Sequence, residues 1–171
     1  MPANTAAPAR PELDLGEDAA LLVDLLKLAT FIARPMREGV AEPMGLASND
    51  LKIILALGGE GELAGHELSD IMGLPPMNVS RAIAALRARG LIEPGKDESN
   101  RRRKPVRLTA AGTAIFRQAI PAMAEVGGQL FADFTPNERA VFHSAAQAIL
   151  ARMTGGIQFD PGSDTTGPSA P

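Results

Sequence analysis

The run Asn100-Arg101-Arg102-Arg103-Lys104 sets four cations side by side with no apolar residue among them. Burial cannot account for such a run, and its members repel one another unless a polyanion lies close. Guanidinium groups suit the narrow minor groove of duplex DNA and the phosphates that flank it. A second group lies upstream. Met77, Asn78, Ser80 and Arg81 stand at the start of a segment with helical periodicity. Asparagine and arginine can make paired hydrogen bonds to adenine and guanine, and a serine hydroxyl can donate to a phosphate. Small Ala84, Ala85 and Ala88 would let that helix lie against a duplex. Met77, Asn78, Ser80, Arg81, Arg101, Arg102, Arg103 and Lys104 are therefore the expected DNA contacts.

The overall charge of −3 conceals this concentration. From Pro75 to Gly112 nine basic residues (Arg81, Arg87, Arg89, Lys96, Arg101, Arg102, Arg103, Lys104 and Arg107) face three acids, Glu93, Asp97 and Glu98. The rest of the chain is strongly acidic. Local potential, not net charge, draws a polyanion to a surface.

Other chemistry is weakly represented. His66-Glu67-Leu68-Ser69-Asp70 stops one histidine short of a zinc-hydrolase pattern, with Asp70 where the second imidazole is needed one helical turn on. Glu67 reads better as a first-turn acid favourable to a helix N-terminus. The only other histidine is His143. Cysteine is absent, so thiolate chemistry and disulfides are excluded. No glycine-rich loop follows a strand to cradle phosphate, and no Ser/His/Asp set stands at a recognisable motif. No catalytic residue, metal ligand or cofactor is expected. Tyr and Trp are also absent, and all six Phe lie outside the basic segment, which argues against single-strand or RNA binding by base stacking.

The elements that must position these side chains are mostly helical. Leu22, Leu25, Leu26, Ala29 and Ile32 predict a first helix over about 18–34, ended or kinked by Pro35. Ser48 is the expected cap of a second helix that buries Leu51, Ile54, Leu55 and Leu57 and breaks at Gly58, Gly59 and Gly61. A short third helix, about Gly65 to Met72, buries Leu68 and Ile71 and stops at Gly73. Pro75-Pro76 starts a fourth that runs to Arg89, with Val79, Ile83 and Leu86 inward and Gly90 as its stop. Leu91-Ile92 and Val106-Arg107-Leu108 read as the two strands of a hairpin around the basic loop. Thr109 caps a fifth helix, kinked at Pro121 and weakened at Gly127-Gly128. Thr135-Pro136-Asn137-Glu138 opens a sixth, reaching about Met153, with Val141, Phe142, Ala145, Ile149 and Met153 on one stripe.

Two short helices joined at Gly73-Leu74-Pro75 and followed by a basic hairpin compose a winged helix-turn-helix. The predicted fold is mostly α with a small β-hairpin wing, plus a helical dimerisation region. Residues 1–15 and 154–171 are expected to be disordered tails around a domain spanning 16–153. Within it the winged helix-turn-helix covers about 46–109, and the dimerisation helices cover about 18–34 and 109–153. The first fifteen residues lack the apolar run of a secretory signal and no stretch is long enough for a membrane span, so a cytoplasmic protein without membrane contact is expected.

Several motifs in order resemble the MarR (multiple antibiotic resistance regulator) family. They are Gly45-Leu46, then Leu63-x-x-x-Glu67-Leu68-x-x-x-Met72-Gly73-Leu74, then Val79-Ser80-Arg81 and Leu86-x-x-x-Gly90-Leu91-Ile92. The wing ends on Val106-x-Leu108-Thr109-x-x-Gly112 in the same manner. The resemblance is close from about Gly45 to Gly112 and looser, as helix order and length, from about Asp18 to Met153. It implies a homodimer in which first, fifth and sixth helices interlock and the wings straddle a pseudo-palindromic operator. It also implies repression of transcription relieved by a small molecule bound between the dimer region and the DNA-binding lobe, with small aromatic acids as first candidates. Two departures stand out. The family's wing carries Asp-x-Arg eight residues ahead of the Leu-Thr pair, where this chain has Asn100 and Arg102, with Asp97 or Glu98 as substitutes for the acid. The threonine often found before the second helix is Ala47 here.

Apolar Phe31, Met36, Ile53 and Phe116 are the expected walls of an effector site, with Arg34, Arg37 or Arg117 meeting a carboxylate. The alternative to a ligand-responsive regulator is a winged-helix module for protein contacts, its basic wing docked on an acidic partner.

Overall fold

The computed structural model describes residues 16–96 and 103–155. Its elements are α1 (Glu17–Phe31), α2 (Ala33–Met36), a π-helical turn (Arg37–Ala41), a 3₁₀ turn (Glu42–Met44), α3 (Ser48–Glu60), α4 (Gly65–Met72), α5 (Pro76–Ala88), β1 (Ile92–Pro94), β2 (Val106–Leu108), α6 (Ala110–Leu130) and α7 (Pro136–Thr154). The fold is mostly helical with one small antiparallel hairpin, as the sequence predicts.

The core gathers under α3, α4 and α5. Ile53, Ile54, Leu68, Leu86, Val40 and Val79 are its largest fully enclosed side chains. Ala119 of α6 and Leu91, Ile92 and Val106 of the wing close it from the other side. Burying aliphatic side chains of this size contributes about 1.5–3 kcal/mol each, so this cluster anchors the helix-turn-helix and the wing together.

Several boundaries differ from the sequence expectation, each for a local reason. The first helix breaks at Ile32, not Arg34, and Pro35 sits inside α2. Proline has no N–H to donate four residues back, so the break appears one turn ahead of it. The chain then continues helically through the π and 3₁₀ turns, which bury Val40 and Ala41. Ala47, not Ser48, occupies the cap of α3. It offers no side-chain acceptor, and Asp50 reaches back to its N–H at 3.4 Å. Gly58 and Gly59 do not break α3, which ends only at Gly61. A Cβ at Gly58 would enter the space of the Phe116 ring, so glycine here permits α6 to lie close against α3. Ile71 is 43% exposed where burial was expected, while Ala82 of α5 is buried and Ile83 only partly so. β1 begins one residue later than the sequence suggests, and α6 runs without a break through Pro121, Gly127 and Gly128.

The caps of α6 and α7 follow the sequence. Thr109 Oγ1 accepts from the Gly112 N–H at 3.1 Å and donates to the Gly90 carbonyl at 2.7 Å. At the start of α7, Thr135 and Glu138 satisfy each other's backbone N–H groups in a full capping box. These bonds hold the Glu138 carboxyl below its ordinary range, the Thr135 N–H contributing most. Neither α1 nor α7 buries a single residue within the chain. Leu21, Leu22, Leu26, Leu28 and Phe31 on α1 stand exposed, as do Val141, Phe142, Ile149, Leu150 and Met153 on α7. Among the described residues, no helix is long and apolar enough to cross a membrane.

Candidate nucleic-acid interface

The turn between α4 and α5 is fixed from within. Gly73 adopts φ 60°, a left-handed conformation costly for other residues, and closes α4. The Leu74 N–H donates to the Ser69 carbonyl at 3.1 Å, and Ser69 Oγ donates to the Leu74 carbonyl at 2.9 Å. Leu74 is buried beneath the turn. With Pro75 capping and Pro76 in the first turn, α5 emerges at a set angle and buries Val79, Ala82 and Leu86.

Burying that stripe turns the opposite face outward. Met77 is 63% exposed, and Ser80, Arg81, Ala84, Ala85 and Ala88 are exposed with it. Asn78, expected to project fully, is half-buried. This face meets the demands of a groove-reading helix: polar and cationic groups near its N-terminus, then small residues that permit close approach. Arg89 leaves the face, donating to the Gly45 carbonyl at 2.9 Å and tying the end of α5 to the turn before α3.

The wing follows directly. Ile92, Glu93 and Pro94 pair with Leu108, Arg107 and Val106 in antiparallel register. Leu63 forms a one-residue bridge to the outer side of β2, exchanging N–H···O bonds of 3.1 and 2.9 Å with Val106. Arg101 and Arg102, with Asn100, Asp97 and Glu98, lie outside the described residues. Lys104 is exposed at the edge of the hairpin. Arg103 is engaged differently from expectation: it makes a two-pronged pair with Glu67 at 2.9 and 2.8 Å, and a further bond to the Glu62 carbonyl at 3.1 Å. Glu67 also accepts from the Ala64 N–H at 2.7 Å, capping α4. The Arg103 guanidinium, and then the Ala64 N–H, hold the Glu67 carboxyl below the usual glutamate range. Arg107 pairs with Glu93 at 2.8 Å and Glu62 at 3.6 Å.

Sequence reasoning had Glu67 as a first-turn acid, which it is, but missed Glu62 and the tie to Arg103. Glu62 next to Leu63, with Glu67 four residues beyond it, was the available signal. Nothing local places residue 103 beside residue 67.

A cavity of about 350 Å³ lies between the end of α3, β2 and the first turns of α6. Leu57, Gly58, Leu108 and Phe116 form its apolar walls, and Glu62, Arg107 and Arg117 its polar rim. Of the expected effector residues it brings together only Phe116 and Arg117. Ile53 is fully enclosed in the core and cannot line an open site. Phe31 lies on the exposed face of α1, Met36 packs against the core, and Arg34 and Arg37 pair with Glu38, Arg37 also with Glu42.

Residues 44–103 match the model of the MarR family. No curated protein matches the chain. Among solved structures, a MarR-family transcriptional regulator from Silicibacter pomeroyi is 23% identical and superposes with a TM-score of 0.70, covering 83% of this chain and 95% of its own. The PcaV transcriptional regulator from Streptomyces coelicolor, in complex with its natural ligand, is 23% identical with a TM-score of 0.62 over 82% and 96% of the two chains. BpsR from Bordetella bronchiseptica, whose DNA binding is regulated by 6-hydroxynicotinic acid, is 20% identical with a TM-score of 0.64 over 78% and 98%. At these identities the likeness is one of fold.

Proposed function

We infer, from the premise that the chain is a MarR-family winged-helix regulator matched at residues 44–103, that it binds operator DNA sequence-specifically as a homodimer and responds to a small anionic ligand. The observation that carries this reading is the outward face of α5, with Met77, Ser80 and Arg81 exposed at its N-terminal end. Arg81 and Asn78 read base edges in the major groove. Ser80 meets a phosphate, and Arg101, Arg102 and Lys104 supply the wing's cations to the minor groove and flanking backbone.

The bare apolar faces of α1 and α7 support a dimer. Exposed leucines on one helix and Val141, Phe142, Ile149 and Met153 on the other form apolar surface that a second copy would cover. Twofold symmetry then calls for half-sites about one helical turn of DNA apart. Repression is the mode that the family resemblance favours.

The cavity between α3, β2 and α6 supports the ligand. Its size and apolar walls suit one aromatic ring, and Arg117 at the rim suits a carboxylate. Among proteins of this fold, PcaV has a natural ligand and BpsR has its DNA binding regulated by 6-hydroxynicotinic acid. Selection of bound duplexes from a random pool, followed by release with small aromatic acids, tests the reading. A shared pseudo-palindrome is expected, and recovery of no common sequence would overturn it.

A further inference from the structure

We propose that residues 62–67 are the mount of the wing, that Glu67 and Glu62 are its positioning residues, and that Arg103 is a strut within it and not a phosphate contact. The use made of the mount rests on the DNA-binding reading; the mount itself does not.

Among the described residues, the polar ties that Lys96, Arg103, Val106 and Arg107 make outside the hairpin's own ladder to the helix-turn-helix converge on this segment. On the outgoing stem, the Lys96 N–H donates to Glu62 Oε2 at 3.0 Å. On the returning stem, Arg103 spans Glu67 and the Glu62 carbonyl, Val106 pairs with Leu63 through the backbone, and Arg107 meets Glu62. Glu67 belongs to the first turn of α4 and caps it. The segment therefore links the pose of the wing to the helix that braces α5.

Burial separates the Arg103–Glu67 pair from the Arg107–Glu93 pair. The side chains of Arg103 and Glu67 are 29% and 28% exposed, against 47% for Arg107 and 45% for Glu93. A guanidinium held by both carboxylate oxygens forms a neutral unit with fixed geometry. Turning Arg103 toward a phosphate would leave the Glu67 carboxylate unpaired beside a polyanion, so the exchange gains little and costs repulsion.

The test uses the full chain. Glu67→Gln keeps an oxygen for the Ala64 N–H while removing the charge. Arg103→Gln removes the guanidinium, and Arg103→Lys keeps the charge without the paired geometry. Hydrogen exchange at the Lys96 and Val106 amides reads the mount without DNA. All three variants should exchange about fivefold faster there, with no further gain in the Glu67→Gln/Arg103→Gln double variant. With a selected duplex, each single variant should weaken binding about three- to tenfold, and the slope of log affinity against log salt should not change. A slope reduced by about 1 in Arg103→Gln, with tighter binding by Glu67→Gln, would mark a phosphate contact and overturn the proposal. Unchanged exchange at both amides overturns it equally. Failure of the unaltered protein to bind any duplex would sink the DNA-binding reading alone, and the exchange result would still uphold or reject the mount.

Discussion

Replacing Gly58 with alanine sets two effects of opposite sign against each other. Alanine in a helix is more favourable than glycine by about 0.8–1.0 kcal/mol in a helix interior, and less near a C-terminus. Against this, a Cβ at Gly58 would meet three atoms of the Phe116 ring, a flat side chain wedged between α3 and α6 that cannot fold away as a flexible chain would. Overpacking of this kind costs about 1–3 kcal/mol. The collision should win, leaving a net loss of about 1–2 kcal/mol and a melting temperature lower by roughly 2–8 °C for a chain of this size. Gly59 is the control: nothing lies within 4 Å of its Cβ position. Gly59→Ala should gain a few tenths of a kcal/mol, about 0.5 at most, from propensity alone. Thermal and urea unfolding at one fixed protein concentration would measure both. Trimming the ring with Phe116→Leu should recover part of the Gly58→Ala loss. Equal stabilisation by the two alanines would refute the close packing of α6 on α3.

Further outcomes follow from other contacts. Gly112→Ala should cost about 3 kcal/mol, since its Cβ would strike the Leu91 backbone carbonyl, and urea midpoints would show it. Thr109→Ala should lose about 1–2 kcal/mol, because one hydroxyl both caps α6 and holds the Gly90 carbonyl. Glu67 has a lowered folded pKa, so its contribution is present above the ordinary glutamate value of 4.5 and is lost as pH falls through the folded value. The stability gap between the unaltered protein and Glu67→Gln should therefore close on acidification below that value, as urea midpoints at a series of pH values would read. Ile149→Glu, on the bare face of α7, should convert a dimer to monomer in sedimentation.

Local signals were the legible ones. Gly65 to Met72 is the helix the sequence predicts at both ends, because the stop is a glycine in a left-handed turn. Val106–Leu108 is the expected strand, since a β-branched and apolar pattern sits between a loop and the Thr109 cap. The outward face of α5 was legible from its inward stripe. What depended on distant packing was not. Gly58 reads as a breaker until Phe116, far along the chain, is seen to occupy its missing side chain. Ile71 reads as core by period, yet in the last turn of the short α4 it is Met72 that packs against the core, and Ile71 stands 43% exposed. In the sequence Arg103 reads as one of a cationic run, and only the return of β2 past Leu63 brings it to Glu67. The effector residues suffered most. Periodicity groups Phe31, Met36 and Ile53 as apolar, but cannot say that one is exposed, one half-packed and one enclosed.

The most direct measurement is fluorescence anisotropy of a labelled duplex titrated with the protein at a series of salt concentrations from about 50 to 200 mM. A dimer presenting two α5 helices and two wings should bind at low salt and lose about 10³–10⁵ in affinity across that range, as six to ten neutralised phosphates require. Anisotropy that stays flat at the lowest salt, or an affinity indifferent to salt, would contradict the account.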